Sequence, residues 1–249
     1  MARKGLLITP DLCIGCRACQ VACKQWNQLP ASQTKNYGTY ENPPDLDANN
    51  FNRIKFIEVS DPKGVKWLFV SHRCMHCGEP ACVQICPVGA LIKDKDTGAV
   101  YYDKNKCIAC HACKSACPFD IPRYDQGGKG KIAKCHFCID RVKAGLVPAC
   151  AKTCPTQAIK YGDRDALIKE AKAKGYKTIY GETDLGGLGV VFALKESPKL
   201  YKLAENPRVS ESVAFWGSVL RTLVGRGGST TSSFVKYLAQ KSTDKSKVG

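Results

Sequence analysis

Cys107-Ile-Ala-Cys110-His-Ala-Cys113-Lys-Ser-Ala-Cys117-Pro118 decides the reading of this chain. Three cysteines at intervals of three can wrap three corners of an iron–sulfur cubane. The fourth follows a three-residue gap on a helical turn, faces away, and reaches a neighbouring cluster. The proline after it has no amide hydrogen to donate, so it ends the turn. Working outward, the pattern recurs as Cys13-x2-Cys16-x2-Cys19-x3-Cys23, as Cys74-x2-Cys77-x4-Cys82-x3-Cys86-Pro87, and as Cys135-x2-Cys138-x11-Cys150-x3-Cys154-Pro155. These four quartets use all sixteen cysteines of the 249-residue chain. The expected cofactors are four [4Fe–4S] clusters.

Other uses of cysteine fit less well. Dense disulfide scaffolds belong to short secreted chains. Zinc ribbons use two separate CxxC pairs, not a triple CxxCxxC followed by CP. Cys107-Ile-Ala-Cys110-His111 reads as a haem attachment site, but both thiols are needed by the quartet around them. His72, His76, His111 and His136 all lie near the motifs and are expected beside clusters or on the surface, because the cysteines already supply four ligands per cluster. The formal charge of +16 could suggest nucleic acid, yet no nucleic-acid-binding signature is legible. Sixteen thiolates and four oxidised cores would leave the loaded chain at about +8. Arg17, Lys24, Arg73, Lys106, Lys114, Lys134 and Lys152 flank the motifs, and each by itself is expected to be a solvated surface charge.

The crossing of the fourth cysteine pairs the quartets. Between the second and third, Ala90-Leu91-Ile92, a turn at Asp96-Thr97-Gly98, and Ala99-Val100-Tyr101-Tyr102 read as a hairpin. That joins quartets two and three and leaves one with four. The expected ligand sets are Cys13, Cys16, Cys19 and Cys154; Cys74, Cys77, Cys82 and Cys117; Cys86, Cys107, Cys110 and Cys113; and Cys23, Cys135, Cys138 and Cys150. Pairing quartet one with two is the open alternative, weakened by the long gap between Cys23 and Cys74.

The four quartets, the x11 gap and Cys138-Ile-Asp-Arg141-Val-Lys-Ala-Gly145-Leu-Val-Pro148-Ala-Cys150 resemble the iron–sulfur subunits of molybdopterin oxidoreductases over about residues 5–195. Within that family, Cys23-Lys-Gln-Trp26-Asn-Gln-Leu-Pro30, Asn42-Pro43-Pro44-Asp45-Leu46 and Lys66-Trp67-Leu68-Phe69 resemble formate dehydrogenase beta subunits. The resemblance implies the same nested pairing. It also implies a non-catalytic electron-transfer role, a large molybdenum or tungsten catalytic partner, and an acceptor such as a cytochrome, a ferredoxin or a further redox subunit. Sulfur-compound reductases and hydrogenases use similar subunits. The chain has no run of eighteen apolar residues, so no membrane span is expected. No signal segment or twin-arginine motif is legible. Relatives of the formate type often cross the membrane beside a signal-bearing partner, which favours a periplasmic over a cytoplasmic location.

The expected fold is α+β: two ferredoxin-like double-cluster units with inserted loops, small hairpins and an irregular C-terminal extension. Residues 1–30 with 130–162 would form the first unit and 71–129 the second. Residues 31–70 would be an insertion facing a partner, with a strand over Arg53–Val59. Residues 163–204 would be a small α/β extension: after a strand at Ala158–Tyr161, Asp163 caps a helix ending at Gly175, and Val190–Leu194 is a strand. In 205–249, Val213, Trp216, Leu220, Leu223 and Val224 at helical spacing suggest an amphipathic segment suited to a partner or a membrane surface. A linker from Arg226 and a disordered stretch at 241–249 would follow.

Overall fold

Lys4–Ile8 (β1) is the centre of the largest sheet. Leu6, Leu7 and Ile8 are all buried, as a strand covered on both faces requires. The computed structural model describes residues 3–33, 35–62, 64–213, 215, 216 and 219. After β1 come Ala18–Trp26 (α1), the hairpin strands Asn52–Asp61 (β2) and Gly64–Arg73 (β3), and the short helix Ala81–Gln84 (α2). Leu91–Lys93 (β4), Val100–Tyr102 (β5), Ala112–Ser115 (α3), Arg123–Tyr124 (β6) and Ile132–Ala133 (β7) follow. The remaining elements are Ile139–Lys143 (α4), Ala149–Lys152 (α5), Ile159–Asp163 (β8), Arg164–Ala173 (α6), Thr178–Tyr180 (β9) and Val190–Leu194 (β10).

The main sheet has the order β8-β1-β10-β9, with β1 parallel to β10 and antiparallel to β8. Side chains alternate between its faces, as a strand's two-residue period dictates. Leu7, Val191 and Ala193 pack under Leu167, Ile168 and Ala171 of α6. Leu6, Ile8, Val190, Phe192 and Leu194 face the other way, onto Ile54, Val70, Met75, Phe137 and Tyr201. That second face carries the cysteine loops. β2–β3, β4–β5 and β6–β7 are separate two-stranded ladders.

The hairpin expected between quartets two and three forms as β4–β5, with Leu91 opposite Tyr102. Asp94 closes it, accepting from the Thr97 amide at 2.9 Å and hydroxyl at 2.7 Å. The Arg53–Val59 strand lies inside β2. Asp163 caps α6 by accepting from the amides of Asp165 and Ala166, and the helix stops before Gly175, whose φ of +86° suits glycine. The strand expected from Ala158 starts one residue later and runs on to Asp163. Of the C-terminal segment, Val213 and Trp216 are described, whereas Leu220, Leu223, Val224, the linker from Arg226 and 241–249 lie outside the described residues. No helix among the described residues is long and apolar enough to cross a membrane.

Candidate metal centres

Each cysteine loop is built on left-handed backbone. The residue before the second cysteine has positive φ in all four quartets: Gly15 at +66°, His76 at +50°, Ala109 at +56° and Phe137 at +66°. For a non-glycine residue this costs about 1–2 kcal/mol, and such strain gathers at binding sites. Alternating right- and left-handed residues turn successive amides toward one point, a nest suited to an anionic group. Some reach sulfur: the Ala90 amide donates to Cys86 Sγ at 3.2 Å, and the Ala109 and Ile132 amides donate to Cys107 Sγ at 3.5 and 3.4 Å.

The loops bring the cysteines together in fours. One small cavity is lined by Cys13, Cys16, Cys19 and Cys154 among Ile8, Ile54 and Phe69. A second is lined by Cys86, Cys107, Cys110 and Cys113, with Leu91 and Tyr124. Burial pushes the Cys77 thiol up, and the charges of Cys74, Cys82 and Cys117 push it further. Burial also raises Cys23, with Cys135, Cys150 and Cys138 adding to the shift and Arg73 opposing it. Neighbouring groups also feel one another. Cys19 is pushed up to about 12, first by burial and then by Cys150. Cys113 is raised first by burial and later by Cys82.

The donor set fits an iron–sulfur core. No cysteine forms a disulfide. Among the described residues no three His, Cys, Asp or Glu side chains close on a single-ion point; the thiols of the Cys13 and Cys86 groups each line a small cavity instead. Cluster binding takes cysteine as thiolate, so loading releases the thiol protons.

Two models of the 4Fe-4S dicluster domain match residues 12–90 and 65–164. The formate dehydrogenase-O iron–sulfur subunit of Escherichia coli K12 is 38% identical, over 90% of this chain and 79% of its own. The chain belongs to the family of formate dehydrogenase iron–sulfur subunits. The formate dehydrogenase iron–sulfur subunit of Haemophilus influenzae is 36% identical over 93% of this chain and 79% of its own. Formate dehydrogenase 2 subunit beta (cytochrome c-553) of Nitratidesulfovibrio vulgaris is 40% identical over 80% of this chain and 96% of its own. Two dicluster domains and sixteen cysteines make this family member an α+β, non-catalytic electron-transfer subunit with four [4Fe–4S] clusters.

Several residues around the thiols escaped the sequence. Arg73 and Lys134, expected as solvated charges, are each 2% exposed, whereas Lys106 and Lys152 are exposed as expected. Arg73 donates to Cys150 Sγ at 3.1 Å and to Cys135 Sγ at 3.3 Å. The Val100 amide donates to Nδ1 of buried His76 at 3.0 Å, so the ring hydrogen sits on Nε2, 3.5 Å from Cys135 Sγ. Asn27 Nδ2 lies 3.7 Å from Cys23 Sγ, and the Tyr124 hydroxyl lies 3.0 Å from Cys113 Sγ. For Arg73, His76 and Lys134 the adjoining cysteine was the only signal available, and Asn27 and Tyr124 carried none; the burial that gives them a role comes from tertiary packing.

Proposed function

We propose that the four clusters are held by the nested ligand sets and that the chain relays electrons between a molybdopterin catalytic subunit oxidising formate and a separate acceptor. The observation that carries the ligand sets is the convergence of Cys154 with Cys13, Cys16 and Cys19 on one apolar cavity; the formate assignment rests on the relatives' names. Bound clusters of this type accept and release single electrons. The protein's part is position, insulation and charge. Cys19 next to Cys150, and Cys113 next to Cys82, support a row in which the Cys23 and Cys74 sets are inner and the Cys13 and Cys86 sets are terminal.

On this reading residues 1–30 with 130–162 and residues 71–129 are the two double-cluster units, 163–204 is an extension, and 31–70 is the insertion facing a partner. Phe56 and Phe69 of β2 and β3 would lie 3.1 Å from a Cβ added at Gly15, so the hairpin roofs the first cysteine loop. Ile14 within that loop, and Trp67 and Val65 on β3, stay exposed, as a docking face requires. The test is anaerobic purification with the natural partner, followed by an assay of formate oxidation with a dye acceptor. Iron and acid-labile sulfide of about sixteen each per chain are expected, with formate-dependent dye reduction. A partner that oxidises hydrogen or reduces a sulfur compound would overturn the formate assignment and leave the clusters standing.

A further inference from the structure

Two basic side chains are sealed among the thiols. Arg73 has no carboxylate partner among the described residues. Its two terminal nitrogens donate to Cys135 and Cys150, and its Nε has no partner. Lys134 donates to the carbonyls of Val100 and Cys135 and lies 3.8 Å from Cys74 Sγ. Taking an ion out of water is costly unless an opposite charge accompanies it. The anions within reach are the thiolates and whatever they bind.

The surroundings of the terminal sets differ. Cys86, Cys107 and Cys113 receive neutral donors: the amides of Ala90, Ala109 and Ile132 and the hydroxyl of Tyr124. Cys154 has the Thr156 hydroxyl at 3.8 Å. Arg17 also lines the Cys13 cavity, but it is only half-buried and donates to the Tyr40 carbonyl; positive charge sealed from water is thus concentrated at the Cys23 and Cys74 sets.

We propose that Arg73 raises the reduction potential of the cluster held by Cys23, Cys135, Cys138 and Cys150, and that Lys134 does the same for the cluster held by Cys74, Cys77, Cys82 and Cys117. The inference rests on the nested ligand sets. An electron makes a cluster more negative by one charge, and a buried cation stabilises that reduced form more than the oxidised form. In a dry interior the effect is weakly screened. Neutral donors act in the same direction but with dipoles only. The inner half of the relay is therefore set apart from its ends by charge, and Arg73 and Lys134 are positioning residues for potential.

The test is a spectroscopically monitored redox titration of the intact, cluster-loaded chain in its native complex. Arg73→Gln is expected to lower the reduction equilibrium constant of one centre at least tenfold, equivalent to 59 mV for one electron, with the iron count unchanged. Arg73→Lys, keeping the charge, should shift it less. Lys134→Gln should lower a different centre by a similar factor, and Tyr124→Phe should move its own centre less than either. Full iron with all four potentials within twofold of the parent would overturn the proposal, as would an equal shift of all four. Should Arg73→Gln lose iron, Lys134→Gln decides by the same criteria. Misassigned ligand sets would show differently: both charge variants would shift one and the same centre.

Discussion

Replacing Gly78 by alanine separates the effect of space from that of backbone conformation. Gly78 follows Cys77, and its φ is not left-handed. An added Cβ, however, would lie 1.9 Å from the Gly186 carbonyl oxygen, 2.4 Å from its carbon and 3.0 Å from its Cα. All three are backbone atoms, so no side chain can swing aside. Restoring ordinary contact moves one strand of chain by about 1.5 Å. The Gly78 amide donates to the Gly187 carbonyl and the Glu79 amide to the Leu185 carbonyl, both at 2.7 Å; such a shift breaks both. Two lost hydrogen bonds cost about 2 kcal/mol and overpacking adds about 1–3 kcal/mol. Gly78→Ala is thus expected to cost about 3–5 kcal/mol, a large share of a typical domain's stability. It should also displace Cys77, which forms a bridge with Leu188, and deplete iron from the Cys74 set. Gly89→Ala is the control: its φ is +61° but nothing lies within 4 Å of the new Cβ, so only the conformational cost of about 1–2 kcal/mol applies. Anaerobic denaturant titration with iron analysis checks both. Gly78→Ala with parental stability and full iron, or Gly89→Ala costing more than Gly78→Ala, would refute the reasoning.

Phe192→Ala removes a fully buried ring between the main sheet and the cysteine loops and is expected to cost about 3–5 kcal/mol in denaturant titration. Asp163→Ala removes the α6 cap and should cost about 1 kcal/mol by the same measurement, with no change in iron. Cys154→Ser should abolish one centre's native signature and leave three, read by electron paramagnetic resonance of the reduced protein. Asp94 gives a pH dependence. Burial acts to raise its carboxyl pKa, but the Thr97 amide and hydroxyl and the Lys143 ammonium outweigh it, and the net shift is below the ordinary 3.8. A depressed folded-state value means the stabilisation is complete above 3.8 and lost as pH falls through the folded value. Asp94→Asn should therefore cost about 1 kcal/mol at pH 7, and the gap between variant and parent should close below about pH 4 in a pH series of denaturant titrations.

What could be read from the chain was what spacing and local chemistry determine. Each cysteine quartet, the β4–β5 hairpin with its Asp94-to-Thr97 turn, and the Asp163 cap with Gly175 behind α6 is encoded locally, within at most about twenty residues. The parallel pairing of β1 with β10 is not local. Leu6 meets Val190 across most of the chain, and a five-residue apolar strand carries no label for its partner. Burial of charge was equally hidden. Arg73 ends a β-strand and Lys134 directly precedes Cys135, positions that read as surface, yet the fold leaves each 2% exposed. A single lysine beside a motif looks the same in sequence whether water or sulfur surrounds it.

The main sheet and the proposed ligand sets solve one problem twice. Nested pairing asks residues 13–23 to lie beside residues 135–154, a closure over more than a hundred residues that costs conformational entropy. β1 and β8 bracket those two quartets from outside, paired from Lys4 with Asp163 to Ile8 with Ile159, and the Thr9 amide donates to the Ala158 carbonyl at 2.8 Å. The sheet therefore brings both halves of the proposed split unit together through hydrogen bonds and apolar burial that owe nothing to metal. Quartets two and three need no such clamp, because β4–β5 joins them directly. The extension from Arg164 to Leu194 serves the same strand: β10 pairs with the edge of β1 that β8 leaves open and α6 covers one face, while Leu6 and Ile8 on the other face join the cluster that holds Ile54, Met75 and Phe137.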